Sequence, residues 1–370
     1  MKDVLIIGGG LAGLTSALAL AKAGLNAVLI EKKTYPFHKV CGEYVSNEAR
    51  PYLETLGLDI DRLQPAFIRK LILGSSQGKS FQLPLDMGGF GVSRYRLDNY
   101  FYEVARAAGV EFHSGVEAKR VETGENSSFV SLSNGKEITA RVVIGAYGKR
   151  TSLDRQLDRD FFKKHSPYLG IKYHVKLDFP IDTIAIYTFK DGYCGLNKIE
   201  DDKYCLCYLG KRDDLRSHGN IQTMEEEVLF RNPQLRSIFT NAVFLYDKPE
   251  VINEISFDLK ELVKDHILFC GDSAGMIAPL CGNGMAMAIH SAKIVSEEII
   301  DFIQLHNDRG RMENNYRRKW KEQFARRLWI GRKIQTLFGN ERLSGSIIGL
   351  VGRIQQVARM LVKQTHGEEF

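Results

Sequence analysis

Residues 4–13 read Val4-Leu5-Ile6-Ile7-Gly8-Gly9-Gly10-Leu11-Ala12-Gly13, and the chain up to Glu31 tells what they are. The first four residues are apolar and rich in β-branching, the pattern of a strand buried on both faces. Gly8, Gly10 and Gly13 fit G-x-G-x-x-G. The Ala- and Leu-rich run over 11–23 predicts a helix, and Gly24 ends it. Ala27-Val28-Leu29-Ile30 predicts a second buried strand, with Glu31 at its end and Lys32 beside it. In such a unit Gly8 permits the tight turn, Gly10 lets a pyrophosphate approach the backbone, and Gly13 lets helix and strand pack closely. The helix start at Leu11 and Ala12 offers free N–H groups and a positive dipole end to phosphates. Glu31 can accept hydrogen bonds from a ribose diol, while its charge would repel the 2′-phosphate of NADP. The unit binds a dinucleotide, and on these residues NAD and FAD are both open.

The rest of the chain bounds the answer. Its 370 residues suffice for two or three domains and for a core that encloses a cofactor. A composition of 44% hydrophobic and 26% charged residues is globular, neither disordered nor fibrous. The net charge of +6 is uneven: residues 309–370 hold 14 Lys+Arg against 5 Asp+Glu, a local +9, which leaves −3 for everything before them. A generally basic, nucleic-acid-binding body is thereby excluded, and no nucleic-acid reading motif is present. The six cysteines form no C-x-x-C pair and no His cluster has metal spacing, so neither a metal site nor a disulfide scaffold is expected. They read as reduced thiols in a cytoplasmic protein. No apolar run reaches the ~18 residues that cross a bilayer. The N-terminus imitates a signal peptide, but Gly8, Gly9 and Gly10 interrupt its apolar run early.

The distal half decides between the cofactors. Ile267 to Cys270 predicts a buried strand leading into Gly271-Asp272, followed by Pro279, Gly282 and Gly284 and a helix from about Met285 to Ile303. This stretch resembles the flavoprotein superfamily of aromatic-ring hydroxylases (p-hydroxybenzoate hydroxylase-like), geranylgeranyl reductases and flavin-dependent halogenases, whose G-D-x-A-x-x-x-x-P-x-x-G-x-G segment holds the ribityl chain and pyrimidine edge of FAD. The resemblance implies FAD as cofactor, Asp272 as the ribityl-binding acid, and the backbone from Gly282 through Gly284 to Met285 facing the flavin. Gly91 to Asp98 resembles the family's R-x-x-L/F-D segment and implies that Arg94 lies near the FAD phosphates and ribityl chain. It further implies an adenine contact near Val116 and a basic residue, here Lys39, against phosphate. One departure stands out. Where the family carries G-A-D-G-x-x-S this chain has Gly145-Ala146-Tyr147-Gly148-Lys149-Arg150-Thr151. Tyr147 replaces an acid implicated in NAD(P)H contacts, so direct NAD(P)H use is in doubt and a separate electron donor is suggested.

The implied fold is α/β: a Rossmann-like FAD-binding domain of glutathione-reductase type, an inserted antiparallel-sheet substrate domain and C-terminal helices. Residues 1–160 form the first part of the cofactor domain, with a substrate-side hairpin near 69–92. Residues 161–260, whose aromatic and β-branched runs alternate with Asp, Gly and Lys, form the substrate domain. Residues 261–308 return to the cofactor domain, and 309–370 form the basic tail. A helix interrupted near Pro233 is expected over about 224–239.

Beyond the cofactor, Cys41-Gly42 occurs where geranylgeranyl reductases carry a Cys-Gly pair near the flavin. Cys41 either tunes the flavin or lines the substrate cavity, or it is a small buried hydrophobe. Tyr193, in Gly192-Tyr193-Cys194-Gly195, faintly echoes the reductases' substrate-contacting segment; it stacks on substrate or donates a proton, or it is simply a packed Tyr. Strand alternation sends Lys172 and His174 to one face, either toward a cavity or toward solvent. The halogenases' W-x-W-x-I-P segment is absent, since the only Trp residues are 320 and 329, which speaks against halogenation.

In the tail, Tyr316, Trp320, Phe324, Leu328, Gly331 and Ile334 recur at helical spacing among Arg and Lys, and a second such stretch runs from Ile347 to Val362. These amphipathic helices either touch an anionic membrane surface or pack on the body. The sequence thus describes a cytoplasmic FAD-dependent oxidoreductase, peripherally associated with the inner face of the membrane in the first of those cases, that acts on a hydrophobic small molecule. Reduction of a C=C bond in an isoprenoid or other lipid competes with hydroxylation of an aromatic or polyketide ring. A flavin-binding redox sensor is the non-enzymatic alternative.

Overall fold

The computed structural model describes residues 1–253, 255–276, 282–338 and 367–370. Pro279, Cys281 and the stretch Ile347 to Val362 lie outside the described residues. Two sheets carry the chain, of eight and nine strands among the described residues. The architecture is the expected α/β one, with a parallel cofactor-type sheet, a largely antiparallel second sheet and C-terminal helices.

In the first sheet Lys2–Ile7 lies between Ala27–Glu31 and Glu137–Gly145, parallel to both. Glu111–Ser114 and Ile267–Phe269 extend it on either side, again in parallel. The inner strands are continuous apolar runs because both faces are covered. Helix Leu11–Lys22 packs between Gly284–Gln304 and Arg94–Ala107. The antiparallel ribbon Ala118–Thr123 and Ser128–Leu132 joins Glu137–Gly145 through a turn at Asn134-Gly135, where Gly135 has φ +81°.

The second sheet runs Val243–Phe244, Tyr168–Lys176, Tyr204–Lys211, Gly192–Lys198, Thr183–Phe189, Ala66–Gly74, Ser80–Gly91 and Tyr44–Ser46. Thr183–Phe189 pairs with Ala66–Gly74 in parallel, and the other pairs are antiparallel. The hairpin Ala66–Gly91 and the short strand Tyr44–Ser46 therefore belong to this sheet. One of its faces buries Leu169, Ile171, Tyr187, Leu196, Leu206 and Tyr208 under helices Ile221–Glu227 and Pro233–Asn241. The interruption expected near Pro233 is real: the segment divides into those two helices with a 3-10 turn, Leu229–Arg231, between them. Pro233 opens the second helix at N1, where its missing N–H costs nothing, and Asn232 caps it by accepting the Gln234 and Leu235 N–H groups.

The first stretch of the basic tail is one helix, Arg309–Phe338. Its apolar stripe of Met312, Tyr316, Trp320, Phe324 and Leu328 is buried in the same core as the first sheet. The Tyr316 hydroxyl donates to the carbonyl of Phe269. Arg318, Lys321, Arg326 and Lys333 stay exposed, so at this stretch the apolar side packs on the body.

Candidate active site

The glycine-rich turn behaves as its spacing predicts. Gly8 has φ +107°, and a Cβ there would stand 2.5 Å from the carbonyl oxygen of Ala146. A Cβ on Gly13 would stand 1.9 Å from the carbonyl oxygen of Gly8, so helix and strand touch through glycine alone. Gly10 differs: its nearest neighbours are Lys39 Nζ and Arg94 Nη2, 3.4 and 3.7 Å from where a Cβ would be. Its backbone faces two cations.

Those cations share one carboxylate. Arg94 Nε and Nη2 lie 2.7 and 2.8 Å from the Asp98 oxygens, and Lys39 Nζ lies 3.1 Å from the same group. Burial alone would raise the Asp98 carboxyl, but Arg94 and then Lys39 hold it below the usual range. Burial also lowers the Lys39 ammonium, against the pull of Asp98. Two half-buried cations on one buried anion, beside a helix N-terminus and a glycine that has no side chain between them, fit the phosphates of a dinucleotide. Arg94 opens its helix because Ser93 caps it, accepting the Arg96 N–H at 3.2 Å. Buried Glu200 fixes Ser93 through its N–H at 2.7 Å and its hydroxyl at 2.6 Å.

At the end of the second strand Glu31 braces the glycine loop, accepting the Gly9 N–H at 2.7 Å and the Lys33 N–H at 3.0 Å. Each oxygen keeps lone-pair capacity for a ribose hydroxyl. The half-buried Val116 lies beside it, its N–H on the Glu31 carbonyl at 3.2 Å. Lys32 is exposed. Leu11 and Ala12 are buried in the first turn of the helix.

Asp272 sits in the 3-10 turn Gly271–Ser273. Buried cations support this turn from below. Arg159 donates to the carbonyls of Ser273 and Glu261 at 2.9 and 2.8 Å, pairs with Asp154 at 3.0 Å, and lies 3.8 Å from the Phe269 ring centroid. Lys260 donates to the carbonyls of Asp272 and Lys149 at 2.7 and 2.8 Å, and burial pulls its pKa down to about 8. Tyr147, the residue that departs from the family pattern, belongs to this support: its hydroxyl donates to Asp154 at 3.0 Å. Gly282, at φ +66°, lies against the Tyr44 ring, Gly284 opens the next helix and Met285 is buried. Trp320 and Phe324, from the tail helix, line a cleft with Asp272 and Gly284. Spacing alone did not connect them to this turn.

The face of the second sheet opposite its helices looks toward this region. Register sets Lys172, Cys207, Gly195 and Ile186 in one cross-sheet row, with Tyr193 and Leu209 in the next. One part of the face is apolar, where Tyr193 and Leu209 pack with Tyr44, Ile184, Ile186 and Met276. The other part is titratable. Lys172 and His174 are 2% and 3% exposed, so the reading of them as solvated surface is corrected. Both pair with buried Glu43, which was not singled out in the sequence although it adjoins Cys41-Gly42. Glu43 Oε1 lies 2.9 Å from Lys172 Nζ and Oε2 lies 2.6 Å from His174 Nε2. Burial would raise this carboxyl; Lys172 and His174 together hold it at about 2. Its Oε1 also accepts the Arg94 N–H at 2.9 Å, which ties the sheet to the phosphate end.

Cys41 is half-buried next to this group, close enough to Arg94 to act on its guanidinium electrostatically. Its carbonyl accepts the Cys205 thiol at 3.3 Å. Burial pushes the Cys207 thiol up to about 12 and the Cys205 thiol well above its usual range, so both stay neutral. Cys41 thus stands at the junction of cofactor end and sheet, whereas Tyr193 sits in the apolar part. No group of three or more His, Cys, Asp or Glu able to hold a metal occurs among the described residues. No helix among them is long and apolar enough to cross a membrane.

Comparison with known proteins agrees with this geometry. A family model described as FAD binding domain matches residues 1–319. Conditioned medium factor receptor 1 of Dictyostelium discoideum is 28% identical over 85% of this chain, which spans 66% of that protein. A 1H-pyrrole-2-carbonyl-[peptidyl-carrier protein] chlorinase of Pseudomonas fluorescens is 25% identical, with 83% of this chain and 77% of the relative covered. Digeranylgeranylglycerophospholipid reductase 1 of Methanopyrus kandleri is 24% identical over 97% of this chain and 96% of its own. Among solved structures, a geranylgeranyl bacteriochlorophyll reductase-like protein from Thermoplasma acidophilum superposes with TM-score 0.79 at 18% identity, covering 100% and 96% of the two chains. A triple mutant of the flavin-dependent brominase Bmp2 gives 0.80 at 21%, covering 99% and 96%. With a family match over residues 1–319 and the expected two-sheet fold, the chain belongs to the FAD binding domain family and is an FAD-dependent oxidoreductase.

Proposed function

We propose that the protein reduces a C=C bond of an isoprenoid or another lipid. The observation that carries this reading is the two-part face of the second sheet. An apolar floor with Tyr193 and Leu209 suits a hydrocarbon chain, and a buried protic group borders it beside Cys41. When bound, FAD supplies the two electrons as hydride. The protein's part is to orient the chain on the floor, exclude water and deliver a proton at the titratable end. Cys41, beside Arg94, lines the approach, and Tyr193 contacts the chain. The two-electron donor is NAD(P)H or a separate reduced protein, and Tyr147 in place of the family's acid favours the latter. Hydroxylation of an aromatic ring is the competing reading, favoured by Lys172, whose ammonium on the same face suits a phenolate. Halogenation is not proposed, because the W-x-W-x-I-P segment is absent.

Anaerobic reoxidation separates these reactions. Under argon, geranylgeranyl diphosphate or a geranylgeranylated glycerophospholipid should reoxidise the photoreduced holoenzyme and gain two hydrogens. Reoxidation that needs O₂ and leaves oxygen in the product would sink the reductase reading.

An anionic membrane surface is the proposed partner of the tail helix's outer side, where Trp329 is 58% exposed among Arg318, Lys321, Arg326 and Lys333. Deleting residues 309–370 would strip Tyr316, Trp320 and Phe324 from the core, so charge reversal at Lys321, Arg326 and Lys333 is the cleaner variant. Equal co-sedimentation of variant and parent with phosphatidylglycerol vesicles would remove this partner.

A further inference from the structure

We infer that Glu43 is a positioning residue that holds His174 as the proton donor of the substrate face; this rests on the reductive reading above. The geometry is that of a buried orienting carboxylate. Glu43 is fully enclosed, and its two oxygens serve three donors from two parts of the fold: the Arg94 N–H, Lys172 Nζ and His174 Nε2. A carboxylate held ionised cannot donate, so the proton of the Nε2 bond resides on the imidazole. That fixes the tautomer and leaves Nδ1 as the atom that exchanges a proton. No second hydrogen bond to the His174 ring is present among the described residues.

Other groups surround the imidazole. Lys172, on the same strand, shares the Glu43 carboxylate with His174. The His38 ring stands 5.4 Å from the His174 ring at 73°, and its own pKa is lowered by burial, then by Lys172 and His174. Tyr246 lies 6.0 Å away and is half-exposed, an approach for solvent. Cys205 is the register partner of His174 on the neighbouring strand and is neutral. Glu250, from the opposite neighbour, pairs in register with Lys172.

The step balances simply. One carbon of the C=C receives hydride from the reduced cofactor, and the other receives the Nδ1 proton of the His174 imidazolium. A C–H bond forms at each carbon, the π bond is lost, and His174 is left neutral with Nε2–H still on Glu43. Solvent returns the proton, and NAD(P)H or another two-electron donor reduces the cofactor again.

The test uses FAD-loaded protein labelled with ¹⁵N-histidine, with His174→Gln to assign the signal. In the parent protein His174 should carry its proton on Nε2 at high pH. In Glu43→Gln the Nε2–H preference should be lost, because a neutral amide can donate to Nε2 as well as accept from it. With geranylgeranyl diphosphate as probe, Glu43→Gln and His174→Gln should each lose roughly 100-fold in kcat with KM nearly unchanged and flavin content full. Glu43→Asp should restore part of the rate. An Nδ1–H tautomer in the parent overturns the inference without any variant, so a misfolded Glu43→Gln does not shelter it. A tautomer preference that ignores Glu43→Gln overturns it as well. If the parent protein reduces no isoprenoid, the functional reading fails while the tautomer measurement still decides the role of Glu43.

Discussion

Glu225 offers a measurement in which the sign and size of the effect follow from a few atoms. It lies on helix Ile221–Glu227, behind the second sheet and away from the candidate site, buried among Met224, Val228 and Phe239. Its Oε1 accepts the hydroxyls of Tyr173 at 2.8 Å and Tyr208 at 2.7 Å. Burial raises its carboxyl from 4.5 to about 7, against the opposing pull of the two tyrosines. A folded-state pKa above the unfolded value means that the folded protein binds the extra proton between the two. Stability is therefore full below about 4.5 and falls as pH rises to about 7. At ~1.4 kcal/mol per pH unit the loss approaches roughly 3 kcal/mol. Glu225→Gln keeps an oxygen for both tyrosines and never ionises. Urea unfolding of the two holoproteins should coincide near pH 4.5 and diverge by about 3 kcal/mol at pH 8, with the Gln variant the more stable. A difference that does not change with pH, or a Gln variant that is the weaker at pH 8, would refute the reasoning.

Other variants probe the cofactor end. Arg94→Met removes one of the two cations at Gly10 and should raise the FAD dissociation constant ~10–100-fold, read by flavin fluorescence; unchanged affinity would rule out the phosphate cradle. Gly13→Ala drives a Cβ to 1.9 Å from the Gly8 carbonyl oxygen, and the protein should be insoluble or colourless; a soluble, yellow variant contradicts the packing described. Trp320→Ala empties a buried indole from the wall of the cleft beside Asp272. It should cost about 3–5 kcal/mol in chemical unfolding, and a cost under ~1 kcal/mol would mean the tail helix is not part of the core.

What could be read ahead of the structure was local. The strand from Lys2 to Ile7, the three spaced glycines and the helix that follows are dictated by contiguous residues, because a strand covered on both faces must be apolar throughout and because only glycine fits where backbones touch. The turn at Gly271-Asp272 and the break at Pro233 are legible for the same reason. The tail's amphipathic period was legible too, but not what its apolar side would meet. Likewise, alternation set Lys172 and His174 on one face without telling whether that face was wet.

The sequence by itself determined the dinucleotide-binding unit, since its short segments have nearly self-contained geometry, and the resemblance of its later motifs implied FAD and redox chemistry. Tertiary structure alone brought Glu43, Lys172 and His174 together. Glu43 stands 129 residues from Lys172 and 131 from His174, on a loop that reaches the second sheet because Tyr44–Ser46 pairs with Ser80–Gly91 and Ala66–Gly74 pairs with Thr183–Phe189. Strand pairing between such distant segments is set by the packing of the whole sheet. The same burial that makes an isolated charge costly is what compels these three side chains to find one another.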